Sequence, residues 1–506
     1  MSSSALADTR TSDTSSGTAN LPTSPPEASA THWAVVGGGV MGLRIAQEIL
    51  DRGDRVTVIE AAPSLGGLAS AWQLDTRSDT SDRDGDKGDG NANGDGAADA
   101  PAMAESSAVA WDRFYHVTLL SDSVLRDQLK RLGLEGDIRW VETKTGFYAD
   151  GRLHSMSNTA EFLRFPPLNL FQRFRLGGTI FLASKIRNWR RMEKITVERW
   201  LRRWSGRGAF EKIWLPLLKA KLGDAYKQTS AAFIWAHTAR MYKARRSGAK
   251  KEMFGYVPGG YGAILTRWRD QLADAGAEFE LDAPVQNVAS SGDGVEVTFG
   301  RDRRQTRRFD RVISTVASPV IADTCDELAA DQAAAHRGIK YLGVVCASML
   351  LDQPISPYYV TNITDTWVPL TAVIEMTTIV DPDAELGGHH LVYLPKYMPD
   401  DHPDLNESDA DYRERCLSTL EKMYDEFDRS RVRAFKIARA KYVAALSTID
   451  YSTRLPPIIT NVPGFYALNS AHILEGNLNV NETLTVATEK FDTVVWPHHQ
   501  QRVARS

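Results

Sequence analysis

Between Trp33 and Glu60 the apolar positions change period twice. The run HWAVVGGGV is a short apolar strand entering a glycine turn, and VMGLRIAQEILDRGD continues at helical spacing, with Leu43, Ala46, Ile49 and Leu50 available for one face. A second apolar run, RVTVIE, follows and predicts another strand. Further along, YLGVVCASMLLD, YYVTNI, AVIEMTTIV and HHLVYL, between 339 and 397, predict an antiparallel sheet. Residues 151–251 predict a helical block whose apolar residues are interleaved with arginines and lysines. Two stretches carry no period at all. Residues 1–30, rich in Ser, Thr, Ala and Pro, predict a disordered tail, and 76–108 predicts a solvated insertion within an otherwise folded region.

Composition sharpens this picture in three places. A chain of 506 residues, 42% hydrophobic and 25% charged, has room for two or three cores. The net charge of −4 conceals strong segregation: 76–108 holds eight acidic and three basic residues, whereas 151–251 holds 23 Lys/Arg against five Asp/Glu. The segment DGDKGDGNANGDG lacks the spacing and the closing Glu of a calcium loop, so it reads as a solvated acidic loop. Cys325, Cys346 and Cys416 form no CxxC pair and no Cys/His cluster, so neither a disulfide framework nor a metal site is expected. No signal-like start or long apolar span stands out, and the expected location is cytoplasmic, with peripheral attachment to the inner face of a membrane as a further reading.

The glycine turn carries the chemistry. Gly37, Gly39 and Gly42 fit GxGxxG: the first permits the tight turn, the second lets backbone approach a pyrophosphate, and the third lets the helix pack on the strand. The phosphate sits on the helix N-terminus, at Val40 and Met41. Glu60, 23 positions after Gly37 at the end of the second strand, is placed to accept hydrogen bonds from an adenosine ribose. After it comes AAPSLGGLAS, and here the chain resembles the GR2-type flavoproteins, a superfamily of amine oxidases, protoporphyrinogen oxidases and phytoene desaturases. The resemblance implies that Gly66 and Gly67 lie beside the cofactor, with Ser70 at the matching small polar position. It extends to VPGGYGAILTRWRDQLADAGAEFELDAPVQNV, where the strand at Val285 passes the adenine, to FDRVISTVAS, and to GFYALNSAHILEGNLNVNETLTVATEKF, whose helix points at the flavin. In that closing block Asn469-Ser470 replaces the usual Gly-Asp, and Asn479, Val480 and Asn481 replace the usual small residues; Asn469 and Asn479 are expected to bind the cofactor, since asparagine can still hydrogen-bond to ribityl or pyrophosphate oxygens. The segments DRFYH, ERWLRRWSGRGAFEKIWLPLLKAKLG and HHLVYLPKY are most similar to a bacterial protoporphyrinogen oxidase-like subgroup related to UDP-galactopyranose mutase.

The resemblance implies an α/β fold: a discontinuous Rossmann-type FAD-binding domain with an inserted α+β substrate domain. Its parts are expected at 31–150 (interrupted by the acidic insertion), 251–320 and 456–495, and the substrate domain at 151–250 and 321–455. FAD is expected to be non-covalent, since no cysteine lies in the closing block. His116 is the preferred polar candidate at the reacting centre, because an imidazole exchanges protons near neutral pH; a hydrogen-bonded structural histidine is the competing reading. Tyr115, Tyr256, Glu375 and His472 are further candidates, each placed by motif adjacency.

Two function classes follow, with an FAD-containing scaffold without turnover as a third, blander one. One is a redox enzyme that oxidises or desaturates an apolar substrate, whether porphyrinogen, isoprenoid, anionic or lipid-linked. The other is a non-redox flavin isomerase acting on a nucleotide-linked sugar. The basic block reads as a solvated helix face, an anionic substrate site or a docking surface for anionic lipid; no recognised nucleic-acid motif accompanies it, and no nucleic-acid partner is expected. Deleting 78–106 is predicted to leave flavin content and melting temperature nearly unchanged, because loop-closure entropy varies slowly with length. Loss of the yellow cofactor from the purified deletion variant would show that the insertion is structural.

Overall fold

The computed structural model describes residues 30–75, 108–246 and 253–504. Apart from Ala30 and Ala108, the expected tail and the acidic insertion, with its calcium-like stretch, lie outside the described residues. Five parallel strands stand side by side in the order Glu278–Glu280, Arg55–Ile59, His32–Val36, Arg311–Ser314 and Phe465–Ala467. Three widely separated pieces of chain thus build one sheet. Its central strands are buried along most of their length, as parallel strands covered on both faces must be. Trp33, Val35 and Val58 pack under the helices Val40–Leu50, Gly260–Asp274 and Val480–Lys490 through Leu43, Ala46, Leu265 and Leu484. The alternate residues Ala34, Val36 and Ile59 pack on Val288, Val295, Val297 and Phe299, from a three-stranded antiparallel sheet made of Val285–Ser291, Gly294–Phe299 and Gln305–Phe309.

The second large element is a seven-stranded sheet in the order Val432–Ala445, Tyr341–Leu351, His390–Pro399, Ala372–Glu375, Val360–Ile363, Thr145–Ala149 and Arg152–Ser155. Its pairings are antiparallel except where Val360–Ile363 meets Thr145–Ala149. Tyr341–Leu351 is buried at every position. Val345, Ala347 and Met349 pack on the helix Asp409–Met423 through Tyr412, Cys416 and Leu420, while Val344, Cys346 and Leu350 face the opposite way, into the core that holds Tyr359 and Tyr393. The boundary expected at 150 falls on a hairpin tip. Asp150 and Gly151 both have positive φ (52° and 69°), the signature of the tight turns whose twist suits paired strands. Both strands of that hairpin join the large sheet.

The basic block folds into helices, among them Thr159–Arg164, Leu170–Lys185, Trp189–Glu193, Val197–Ala209, Leu215–Leu222 and Ala231–Arg246. Asn158 and Asn169 cap two of them, the latter in a reciprocal box with Gln172. Trp189, Trp200, Phe210 and Trp235 turn inward and supply the lobe's core. No helix among the described residues is long and apolar enough to cross a membrane.

Asp112 ties the nucleotide half to the large sheet. It ends the ribbon formed by Ala71–Asp75 and Ala108–Asp112, and its Oδ1 accepts the Tyr261 N–H at 2.8 Å, at the start of the helix Gly260–Asp274. Its carbonyl accepts the Tyr393 hydroxyl at 2.6 Å, from the large sheet. Gly260 is required there, since a Cβ would lie 2.7 Å from Asp112 Oδ1. Burial pushes the Asp112 carboxyl up to about 8, against the backbone N–H groups of Tyr261 and Gly262, which favour the carboxylate. An unfolded Asp loses its proton near pH 4. The folded protein retains that proton up to about pH 8, so this group reduces stability progressively between those values. Asp112→Asn, which keeps the acceptor without the charge, is predicted to match wild type in melting temperature near pH 4 and to exceed it by a margin that grows up to pH 8. Asp112→Ala loses the cap and is predicted to cost about 1 kcal/mol at pH 5. An Asn variant less stable than wild type at pH 8 would show that the carboxylate is ionised in the folded protein.

Candidate active site

The turn after the first strand is built around missing side chains. Gly37 has φ +103°, and its N–H donates to Ile59 O at 2.8 Å. A Cβ on Gly42 would lie 1.9 Å from Gly37 O, so no larger residue lets the helix start this close to the strand. Gly39 caps that helix without a side-chain acceptor, and the first turn holds no acidic residue, which leaves the N-terminal amides at Val40 and Met41 uncompensated by side chains. Gly66 N–H donates to Gly38 O at 2.9 Å and Gly66 pairs with Gly39 in a parallel bridge, so the Gly66-Gly67 loop runs alongside the helix N-terminus. Glu60 is oriented by two backbone donors, Gly38 N–H at 2.6 Å and Ala62 N–H at 2.8 Å. Each carboxylate oxygen retains lone-pair capacity for further donors. Ala283 N–H donates to Glu60 O at 2.9 Å, which starts the strand at Val285 beside Glu60, with a bulge between Val285 and Asn287. A glycine cradle, an uncapped helix N-terminus and an oriented carboxylate at the second strand's end fit a dinucleotide such as FAD.

From the cradle the chain leads directly to the second region of interest. Ser70 is buried, and its carbonyl accepts the Arg113 N–H at 2.9 Å, so DRFYH is held beside the glycine doublet. Leu68 of the doublet loop, Leu478 of the closing block, Phe114, Tyr115, Tyr359 and Tyr397 all meet in one apolar cluster. The Tyr115 and Tyr397 hydroxyls lie 3.3 Å apart, and Lys221 Nζ sits 4.1 Å from the Tyr397 ring centroid. Lys221 comes from the helix Leu215–Leu222, between the buried Leu218 and Leu222. Tyr115, Lys221 and Tyr397 are half-buried and His237 is exposed, so the four border a solvent-accessible chamber.

Desolvation sets the charges in this chamber. Burial lowers Lys221 to about 8 and His237 to about 4, the latter helped by the fields of Lys221 and Arg240. His116 is likewise lowered by burial to about 4, opposed by its Nδ1 contact with Phe114 O at 2.8 Å. A carbonyl only accepts, so Nδ1 carries the proton and Nε2 is left as the acceptor. The His116 ring lies tilted against Tyr261, 4.9 Å between centroids, and stands 3.8 Å from Asp112. It is therefore neutral at pH 7, and proton exchange near neutrality does not follow from its surroundings. At that pH Lys221 is the cation of the chamber, and among the described residues it has no carboxylate within ion-pair distance.

The other candidates lie elsewhere or are already bonded. His472 Nδ1 and Nε2 contact Asn469 O and Pro456 O, each at 3.2 Å, and the residue is buried. The Asn469 side chain accepts from Ala471 N–H and donates to Val316 O and Ser318 Oγ, so it braces loops. The Asn479 side chain caps the helix Val480–Lys490 by accepting the Glu482 N–H at 3.0 Å. The Tyr256 hydroxyl accepts from Arg139 and from the Asp381 N–H, each at 3.4 Å. Glu375 is two residues from Val373, on the face of the sheet that packs on Asp409–Met423, and its Oε2 accepts the Ile355 N–H at 3.0 Å; burial raises its carboxyl to about 7. Lys221, His237 and Tyr397 are absent from the sequence-based candidates. The usable signal was a lysine on the apolar side of a short helix, three residues from Leu218 and one from Leu222.

A family model described as flavin containing amine oxidoreductase matches residues 42–472. Among solved structures, a protein of Exiguobacterium sp. 255-15, provisionally assigned as a protoporphyrinogen oxidase, superposes with a TM-score of 0.66 at 16% identity, covering 92% of this chain and 99% of that one. Putrescine oxidase bound to putrescine gives a TM-score of 0.61 at 16% identity, over 92% and 99% of the two chains. A fatty acid isomerase from P. acnes that produces CLA gives 0.63 at 13% identity, over 92% and 98%. At these identities the likeness is one of fold. No curated protein matches the chain significantly. The glycine cradle, the oriented Glu60 and the extent of the family match establish that this chain belongs to the flavin-containing amine oxidoreductases.

Proposed function

We propose that this flavin oxidoreductase binds FAD non-covalently and oxidises or desaturates an apolar substrate that carries an anionic group. The observation behind this reading is Lys221, a half-buried cation over the Tyr397 ring with no carboxylate partner among the described residues. Bound flavin supplies the hydride acceptor, at N5. The chain's own residues supply the rest. The amides at Val40 and Met41 and the Gly37–Gly42 turn would hold the pyrophosphate, and Glu60 the ribose. Tyr115, Tyr359 and Tyr397 offer an aromatic wall that excludes water from an apolar substrate, and Lys221 orients its anionic end. Three free, buried cysteines fit a reducing, cytoplasmic setting.

Acid precipitation of the purified protein is predicted to release FAD into the supernatant. Glu60→Ala is predicted to weaken FAD binding about tenfold to a hundredfold, from about 1.5–3 kcal/mol of charge-assisted hydrogen bonding. Under anaerobic conditions a long-chain carboxylate is expected to bleach the flavin band at pH 7, and putrescine is not. Rapid bleaching by putrescine would sink the anionic-substrate reading, and turnover of a nucleotide-linked sugar without net bleaching would replace it with the isomerase.

The charge on Lys221 exists below its lowered value of about 8, so KM for an anionic substrate is predicted to rise as pH climbs through 8. Lys221→Met should raise KM at pH 7 about tenfold to a hundredfold and flatten that pH profile, with flavin content retained. Steady-state kinetics between pH 6 and pH 9 test this directly. An unchanged KM and an unchanged profile in the Met variant would remove Lys221 from the substrate site.

A further inference from the structure

From the helical lobe we infer a docking surface for an anionic phospholipid bilayer, centred on the helix Leu170–Lys185. Nine large hydrophobic side chains are exposed among the described residues, and six of them, Leu163, Leu170, Phe171, Phe174, Phe181 and Trp204, come from this one part of the lobe. Phe171 and Phe174 are 69% and 63% exposed. Positions 171, 174, 178 and 181 recur at three and four residues, which puts them on one face of the helix. The opposite face, with Leu176, Thr179 and Ala183, is buried against the lobe. A helix apolar on both sides has an environment other than water outside it, and a cluster of exposed aromatics of this kind marks an interaction site rather than ordinary surface.

Charge selects the occupant. All five acidic residues of 151–251 are engaged internally: Glu161 with Ser155 at 2.6 Å, Glu193 with Ser452 N–H at 2.6 Å, Glu198 with Arg202 at 2.8 Å, Glu211 with Arg207 at 2.9 Å and Asp224 with Lys227 at 3.1 Å. Arg164, Lys185, Arg187, Arg190, Arg191 and Arg203 have no ion-pair partner among the described residues. Two of them, Lys185 and Arg203, border the aromatic face directly. Lys185 Nζ lies 5.1 Å from the Phe181 ring centroid and the Arg203 guanidinium 5.9 Å from that of Trp204. Just past the helix C-terminus, Arg187, Arg190, Arg191 and Lys194 line a cleft of about 530 Å³, whose one carboxylate, Glu475, is bonded by Trp189 Nε1 at 2.9 Å. Aromatics at acyl depth, ringed by cations at phosphate depth, match a leaflet of anionic lipid. A second copy of this surface would bring like charges together.

The test is sedimentation of the full-length flavoprotein with vesicles of phosphatidylglycerol and phosphatidylcholine, or of phosphatidylcholine alone. Partition into the anionic vesicles is expected, with weak binding to the neutral ones and a steep loss between roughly 0.1 M and roughly 0.5 M salt, as the Debye length shortens. Phe171→Ser/Phe174→Ser/Phe181→Ser is expected to lose at least tenfold in partition. Arg187→Glu/Arg190→Glu/Arg191→Glu is expected to lose more, since each cation near an anionic surface contributes about fivefold. Flavin content and melting temperature of both variants should equal wild type, which separates lost docking from lost folding. Wild type remaining in the supernatant with anionic vesicles overturns the inference. So does aromatic-variant binding equal to wild type, or a wild-type dimer that the aromatic variant converts to monomer without any lipid partition.

Discussion

Backbone must approach backbone with nothing between, and the rest of the molecule is arranged around that constraint. A Cβ at Gly42 would sit 1.9 Å from Gly37 O, and one at Gly67 would touch the Gly39 Cα at 3.4 Å. These contacts fix the direction of the helix Val40–Leu50 and bring the Gly66-Gly67 loop against its N-terminus. Thr315 closes the turn from a strand almost 280 residues away, donating from Oγ1 to Val36 O at 3.0 Å. The position of the glycine loop sets the position of Ser70, Ser70 holds Arg113, and Asp112, the residue before it, joins the ribbon to the helix at Tyr261 and the sheet at Tyr393. The chamber is therefore located by the nucleotide turn. A side chain added to that turn would displace the wall carrying Tyr115 and His116 as well as the phosphate site.

The nucleotide half was legible because its determinants are local. Gly37 to Glu60 is one supersecondary unit, and its period and spacing survive in any sequence that folds this way. The four β-rich runs between 339 and 397 were legible for the same reason, and they form strands of one sheet. The hairpin at Asp150-Gly151 was not, because its allegiance is decided by a parallel pairing with Val360–Ile363, more than 200 residues later. Nor was Lys221. Among 23 basic residues between 151 and 251 it looks like its neighbour Lys219; what separates them is burial against Tyr397, a residue of another element. Asn469 and Asn479 illustrate the converse. Their polar side chains suggested cofactor contacts, but a buried amide must satisfy several donors and acceptors, and here backbone groups at loop and helix ends do so.

The polar groups near the chamber obey one rule. A charge removed from water is costly unless paired, so each titratable group there shifts towards its neutral form. Asp112 is held protonated up to about pH 8, while His116 and His237 stay unprotonated down to about pH 4. The ionised pair nearby, Arg240 with Asp122 at 2.8 Å, is internally compensated. Lys221 follows the same rule, but its lowered value of about 8 leaves it charged at pH 7, because an amine begins from a much higher value than an imidazole. Lys221 is therefore an uncompensated positive charge against an aromatic wall.

In the function proposed above, that residual charge discriminates between the substrate chemistries open to an amine oxidoreductase fold. Two like unit charges about 4 Å apart repel by roughly 4 kcal/mol at an effective dielectric of about 20, and the attraction of opposite charges has the same size. An alkylammonium entering the chamber would meet this repulsion and would have to leave water as well, with Asp112 protonated and unable to compensate it. An apolar acid gains the attraction, and its chain is desolvated against Tyr115, Tyr359 and Tyr397. The family supplies the fold and the flavin, and in the function proposed above it is the lysine on the helix Leu215–Leu222 that turns the chamber away from amines.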